Sequence, residues 1–168
     1  MKTYRVFVGL GSNMGERELQ LNNATHALQK LEAVKVIWTS SIYETDPFGK
    51  VDQPRFLNAV VELETTLAPE VLYPRLKAIE QELGRTASER WGPREIDIDI
   101  LIYDGHVHDD GNVTVPHPEM EQRKFVLVPL NEIAPDLVHP VNGMTVAEMM
   151  ATCRDTGRVV KSLHHIKL

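Results

Sequence analysis

Within Arg90-Trp91-Gly92-Pro93-Arg94-Glu95-Ile96-Asp97-Ile98-Asp99-Ile100-Leu101 an apolar strand pattern is broken twice by aspartate. Side chains alternate along a strand, so Asp97 and Asp99 stand on one face, about 7 Å apart by the rise per residue, while Ile96, Ile98, Ile100 and Ile102 line the other. Two neighbouring anions on such a strand are costly to desolvate unless cations compensate them. Two Mg²⁺ ions with phosphate oxygens as further ligands would do so, because Mg²⁺ prefers oxygen donors and takes few protein carboxylates. The competing reading is the solvated face of an edge strand. The neighbours weigh against it. Arg85, Arg90 and Arg94 crowd the approach, and guanidinium groups bind phosphate oxygens in bidentate fashion. Trp91, beside Gly92-Pro93 in a charged stretch, is either a lid or stacking surface or a tryptophan tucked into the core.

Other polar residues are less specific. His117 is fixed between Pro116 and Pro118, with Arg123 six residues on, and this segment could aim both side chains at a phosphate chain. Taken alone, His117 reads more readily as a surface histidine of no special role, because histidines are often partly exposed. His106, His108, Asp109 and Asp110, between Gly105 and Gly111, are expected to form a solvated turn rather than a metal site. His164-His165 belongs to a terminal tail. The usual nucleotide motifs fail: in Gly9-Leu10-Gly11-Ser12-Asn13-Met14-Gly15 the third glycine falls one residue late for a dinucleotide fingerprint. Gly49-Lys50 is followed by Val51, not Ser or Thr, so no phosphate loop is present. A nucleotide bound here would have its phosphates held by metal and arginine.

The elements that must position these residues follow from periodicity. Tyr4 to Leu10 is a β-favouring run stopped by Gly11-Ser12-Asn13. Leu21, Ala24, Leu28 and Leu31 fall at helical intervals, which predicts a helix from about Glu16 to Leu31. Val34 to Tyr43 and Phe56 to Thr65 are strands, separated by Glu44 to Arg55, too long for a tight hairpin and a candidate binding loop. Leu72, Leu76, Ile79 and Leu83 predict a second helix from Pro69 to Leu83, ended by Gly84, with Pro74 forcing a kink or a later start. Gly84 to Pro93 is a polar loop and Glu95 to Tyr103 a strand. The order strand, helix, strand, strand, helix, strand is that of the ferredoxin-like βαββαβ core: an α+β fold with both helices on one face of an antiparallel sheet. A C-terminal extension follows, with a short segment at Phe125 to Leu130 and a small helix near Thr145 to Thr152.

Composition bounds the partners. The 168 residues fit a single domain spanning 1–168. Lys and Arg number 18 against 24 Asp and Glu, a net charge of -6, so nucleic acid is not an expected partner and an anionic substrate must find its positive charge locally. The single cysteine, Cys153, excludes an internal disulfide and fits a reducing compartment. No apolar run reaches membrane-spanning length, which points to a cytoplasmic protein.

Together these segments resemble the 6-hydroxymethyl-7,8-dihydropterin pyrophosphokinases of folate biosynthesis. The resemblance rests on Gly9-Leu10-Gly11-Ser12-Asn13, Tyr43-Glu44-Thr45, Phe56-Leu57-Asn58-Ala59, the Arg90 to Leu101 block and Pro116-His117-Pro118. It implies transfer of the β,γ-pyrophosphoryl group of ATP to a pterin alcohol, with release of AMP. By resemblance, Asp97 and Asp99 hold two Mg²⁺ ions, and Arg85 and Arg94 act with them in catalysis. ATP falls to Glu80, Arg90, Trp91, Ile100, Thr114, His117 and Arg123. The pterin falls to Gly11, Thr45, Asp46, Phe48, Phe56, Asn58 and Phe125, with Phe56 and Phe125 clasping its ring. ATP and the pterin are the implied partners of a monomer or weak dimer. Three departures stand out: the loop between Arg85 and Trp91 is shorter than in some members, Asp46 replaces a common proline, and Asn112 replaces an arginine. Two other classes share parts of the pattern. One is a palm-like two-metal nucleotidyltransferase; the other is a non-catalytic ferredoxin-like ligand-binding module.

Overall fold

The computed structural model describes residues 2–49, 52–84 and 95–168. Arg85, Arg90, Trp91 and Arg94, all expected at the site, lie outside them.

The first strand, β1 (Tyr4–Ser12), leads to α1 (Arg17–Lys30), then to β2 (Val34–Thr39) and β3 (Tyr43–Thr45). Next come β4 (Phe56–Thr65), α2 (Pro69–Glu82) and β5 (Asp97–Tyr103). A small hairpin of β6 (His108–Asp109) and β7 (Thr114–Val115) precedes α3 (Lys124–Ile133), α4 (Val146–Thr152) and β8 (Val159–Lys161). The main sheet is antiparallel throughout, ordered β5-β1-β4-β3-β8, with β2 also on β4.

One face of the sheet presents Val6, Val8 and Leu10 of β1, alternate residues of β4 from Leu57 to Leu63, and Ile96, Ile98 and Ile100. Leu21, Ala24 and Leu28 of α1 and Leu72, Leu76 and Ile79 of α2 cover it, as their helical spacing requires. Pro69 opens α2, where a missing N–H costs nothing, and the helix runs on through Pro74 rather than starting after it. The opposite face is half covered. Phe7, Val60, Leu101 and Ile102 pack there against Val126, Leu127 and Leu130 of α3 and Val146 and Met149 of α4.

Two departures from simple alternation have visible causes. The expected strand Val34 to Tyr43 is split in two because Ser40 competes for the ladder: its hydroxyl accepts the Val60 N–H at 2.9 Å and donates to Ser41 O at 2.7 Å. The break is held from the other face by α3, whose Glu132 carboxylate accepts Ser41 N–H at 3.0 Å and Tyr43 O–H at 2.6 Å. In β5 the register with β1 skips Leu101, a bulge that adds one residue and reverses the faces beyond it. Ile102, expected beside Ile96, Ile98 and Ile100, therefore joins the opposite cluster, and Tyr103 takes its place.

The segment at Phe125 to Leu130 is the body of a ten-residue helix. Its apolar residues bury the second sheet face, so the layers are helices, sheet and helices rather than helices on one side only. Among the described residues no helix is long and apolar enough to cross a membrane.

Candidate active site

On the half-covered face, α3 leaves the ends of β1, β4 and β5 open, and a cavity of about 250 Å³ lies over them. Asp97 and Asp99 enter it from β5. Their cross-strand neighbours are Gly11 and Gly9, so no side chain on β1 stands beside either carboxylate. This pairing explains the Gly9-Leu10-Gly11 pattern better than a turn does. A Cβ on Gly11 would also come within 2.7 Å of Asn58 Nδ2.

Asn58 projects into the cavity from β4, the next strand over. Its Oδ1 accepts Thr45 Oγ1–H at 2.6 Å and its Nδ2 donates to Leu10 O at 3.3 Å, which fixes the amide. Thr45 and Asn58 are both buried, so the pair is a held set of directional polar groups in the cavity wall. Phe56, Phe48 and Phe125 supply the aromatic surface. The rings of Phe48 and Phe125 lie 6.1 Å apart at 57°, and the Arg123 guanidinium sits 5.6 and 5.7 Å from their centres. Arg123 is further tied to Glu119, one turn before α3.

His117 completes that wall. Its N–H bonds Leu101 O at 2.8 Å, which joins the segment after β7 to β5. Nδ1 accepts the Glu119 N–H at 3.2 Å, so in the neutral ring the proton sits on Nε2. Burial, and then the charge of Arg123, push the imidazole down to about 4. At neutral pH His117 is therefore an uncharged donor.

Lys77 of α2 also lines the cavity and was not anticipated from the sequence. Its ammonium lies 3.0 Å from Glu80 Oε2 and 3.7 Å from Asp99 Oδ1. Burial alone would lower its pKa, but Asp99, Glu80 and Asp97 more than offset this and hold it above the ordinary lysine value. Burial raises Glu80, partly countered by Lys77 and the Ile98 N–H. The available signal was position: Lys77 falls between Leu76 and Ile79 on the covered side of an amphipathic helix, where a lysine needs a partner.

Of the residues expected to bind ATP, His117 and Arg123 reach the cavity, whereas Glu80 is 1% exposed against the edge of β5 and does not line it. Ile100 points to the opposite face, and Thr114, on β7, bonds Asp109 at 3.2 Å away from the cavity. All seven residues assigned to the pterin line it. Asp46 has a second task that a proline could not perform: its N–H donates to Arg158 O and its carboxylate accepts Arg158 N–H, both at 3.0 Å, which tethers the segment leading into β8. Asn112 is exposed in the hairpin, where Asp110 caps the turn. His108, Asp109 and Asp110 belong to that hairpin, with His108 within 3.4 Å of Glu70 and 3.1 Å of Asp110, whereas His106 sits in the turn after β5 with its ring 5.1 Å from that of Tyr4.

Comparison with known proteins gives a consistent result. The sequence model of the 7,8-dihydro-6-hydroxymethylpterin-pyrophosphokinase family matches residues 7–135. The 2-amino-4-hydroxy-6-hydroxymethyldihydropteridine pyrophosphokinase of Pseudomonas aeruginosa is 44% identical over 149 residues, covering 89% of this chain and 91% of that protein. The enzyme of the same name from Bacillus subtilis is 49% identical over 127 residues, 76% of each chain. Among solved structures, Plasmodium falciparum HPPK-DHPS with pterin and p-hydroxybenzoate matches with a TM-score of 0.70 at 19% identity, over 90% of this chain. The match spans 42% of that longer chain.

Proposed function

Because the chain belongs to the 7,8-dihydro-6-hydroxymethylpterin-pyrophosphokinase family, and is thus an ATP-dependent pyrophosphokinase of folate biosynthesis, we propose that its cavity binds the pterin alcohol and the ATP phosphates together, with two Mg²⁺ ions on Asp97 and Asp99. The observation that carries this reading is the union, in one cavity, of two carboxylates opposite two glycines with a fixed Asn58–Thr45 pair between aromatic side chains.

The donor set suits Mg²⁺: two oxygen ligands on one strand face, with glycines opposite and substrate phosphates to complete the shell. When bound, the ions would neutralise charge on the β- and γ-phosphates. The chain's own residues do the rest. Asn58 and Thr45 offer directional groups to the edge of the pterin, and Phe56 and Phe125 offer faces to its ring. His117 donates from Nε2 to a phosphate oxygen without adding charge, while Arg123 adds one, and both act where negative charge moves. Arg85 and Arg94 supply further guanidinium groups, with Arg90 and Trp91 on the nucleotide. The hydroxymethyl oxygen attacks the β-phosphorus and gives up its proton to solvent, the bond to the oxygen bridging the α-phosphate breaks with its electron pair left on that oxygen, and AMP leaves.

This reading takes the strand order as a ferredoxin-like core with a C-terminal extension, one domain over 1–168, working in the cytoplasm as a monomer or weak dimer. Calorimetric titration with the pterin alcohol, with and without a non-hydrolysable ATP analogue and Mg²⁺, tests it. Pterin binding should tighten with the analogue and Mg²⁺ present, and this gain should vanish in Asp97→Asn. An equal gain in that variant would remove Asp97 from the metal site.

A further inference from the structure

Ile98 lies between Asp97 and Asp99 on the outermost strand of the sheet. Its peptide groups are not left to solvent. The Glu80 carboxylate accepts the Ile98 N–H at 2.6 Å, and Lys77 Nζ donates to Ile98 O at 3.0 Å. Lys77 and Glu80 are three residues apart on α2, so they share a helix face, and they pair with each other at 3.0 Å. The two side chains thus stand where a further strand would, taking both backbone groups of the residue that separates the aspartates.

We propose that Lys77 and Glu80 are positioning residues for the divalent-metal ligands, a clamp from α2 that fixes the peptide of Ile98 and, through it, the spacing and direction of Asp97 and Asp99. The inference rests on the reading that these aspartates hold metal. A sheet edge without such partners exposes its N–H and C=O to water and fluctuates. Here the strand between the two ligands is held at both polar groups.

Lys77 has an opposing effect, since its charge near Asp99 disfavours a second cation. The distances decide between the two. The ammonium is paired with the Glu80 carboxylate at 3.0 Å, which offsets its charge towards Asp99 at 3.7 Å, whereas the clamp bonds to Ile98 are 2.6 and 3.0 Å. Loss of the clamp therefore dominates, and removing Lys77 weakens metal binding rather than strengthening it. Supports behind metal ligands typically contribute about 10–100-fold in metal affinity.

The test is Mn²⁺ titration by electron paramagnetic resonance on the full chain with a non-hydrolysable ATP analogue, alongside pterin binding by fluorescence. Lys77→Met should bind Mn²⁺ about tenfold or more weakly, with pterin affinity within about twofold of the parent, and Lys77→Arg should recover most of the loss. If Lys77→Met does not fold, the isosteric Glu80→Gln carries the test, with weaker Mn²⁺ binding and intact pterin binding expected. Parental or tighter Mn²⁺ binding in a folded variant overturns the clamp, as does parallel loss of both ligands, which would mean a general structural role. Parental Mn²⁺ binding that is insensitive to Asp97→Asn overturns the metal site itself, and the clamp with it.

Discussion

His117 makes stability depend on pH in a way that can be worked out in advance. The neutral ring accepts the Glu119 N–H at Nδ1, and burial with the Arg123 charge lowers its pKa from 6.5 to about 4. In the unfolded chain the ordinary value returns. Above pH 6.5 neither state is protonated and the group contributes nothing to the pH dependence. As the pH falls from 6.5 towards 4, the unfolded chain takes up a proton that the folded protein refuses, so stability is lost. That window corresponds to a loss of about 2 kcal/mol by pH 5, approaching about 3 kcal/mol below pH 4.

The perturbation is His117→Asn, whose Oδ1 can replace Nδ1 as acceptor for Glu119 N–H while removing the titration. Urea unfolding of parent and variant at pH 7.5 and pH 5 gives the difference, in which the other histidines cancel. The parent should lose about 2 kcal/mol more than the variant. Equal losses, or a parent that gains relative to the variant on acidification, would refute the assignment of a half-buried neutral imidazole.

Gly11→Ala should damage pterin use selectively. The new Cβ would lie 2.7 Å from Asn58 Nδ2, and Asn58 is pinned to Thr45 at 2.6 Å, so it cannot yield freely. Overpacking of about 1–3 kcal/mol predicts a rise of about tenfold or more in the pterin KM with the ATP KM little changed, read from steady-state kinetics. Asp99→Asn should abolish turnover while leaving the thermal midpoint within a few degrees of the parent; residual wild-type activity in a coupled AMP assay would count against a metal role. Glu132→Ala should cost about 1–2 kcal/mol by urea unfolding, because it strands Ser41 N–H and the Tyr43 hydroxyl, whose pKa burial and Glu132 hold above the ordinary value. An unchanged midpoint would show that the break between β2 and β3 needs no support from α3.

The core elements were legible because their apolar spacing is regular: Leu72, Leu76 and Ile79 mark a helix, and alternate residues from Leu57 to Leu63 mark a strand face. Alternation also put Asp97 and Asp99 on one face. Alternation failed at Leu101, where a bulge that no local residue type announces turned Ile102 over. It failed again at Ser40, whose hydroxyl replaces a ladder group, although a serine pair within a β-favouring run is a usable hint. Of the candidate site, strand alternation marks Asp97 and Asp99, whereas Asn58, Thr45 and the aromatic residues that line the same cavity follow from the family resemblance. Lys77 was missed because its role depends on the contact between α2 and the edge of β5, a tertiary relation without a sequence period. Glu80 was drawn to the nucleotide by resemblance, yet its carboxylate is spent on the Ile98 N–H and Lys77.

Attack at the β-phosphorus of ATP is read out by the products. Phosphorus NMR of the enzyme with ATP, Mg²⁺ and 6-hydroxymethyl-7,8-dihydropterin should show AMP and a pterin diphosphate appearing in equal amounts, with no free pyrophosphate. Release of pyrophosphate with a nucleotidyl group on the pterin would place the attack at the α-phosphorus instead, as in a palm-like nucleotidyltransferase, and would overturn the assignment of a pyrophosphoryl-transfer site.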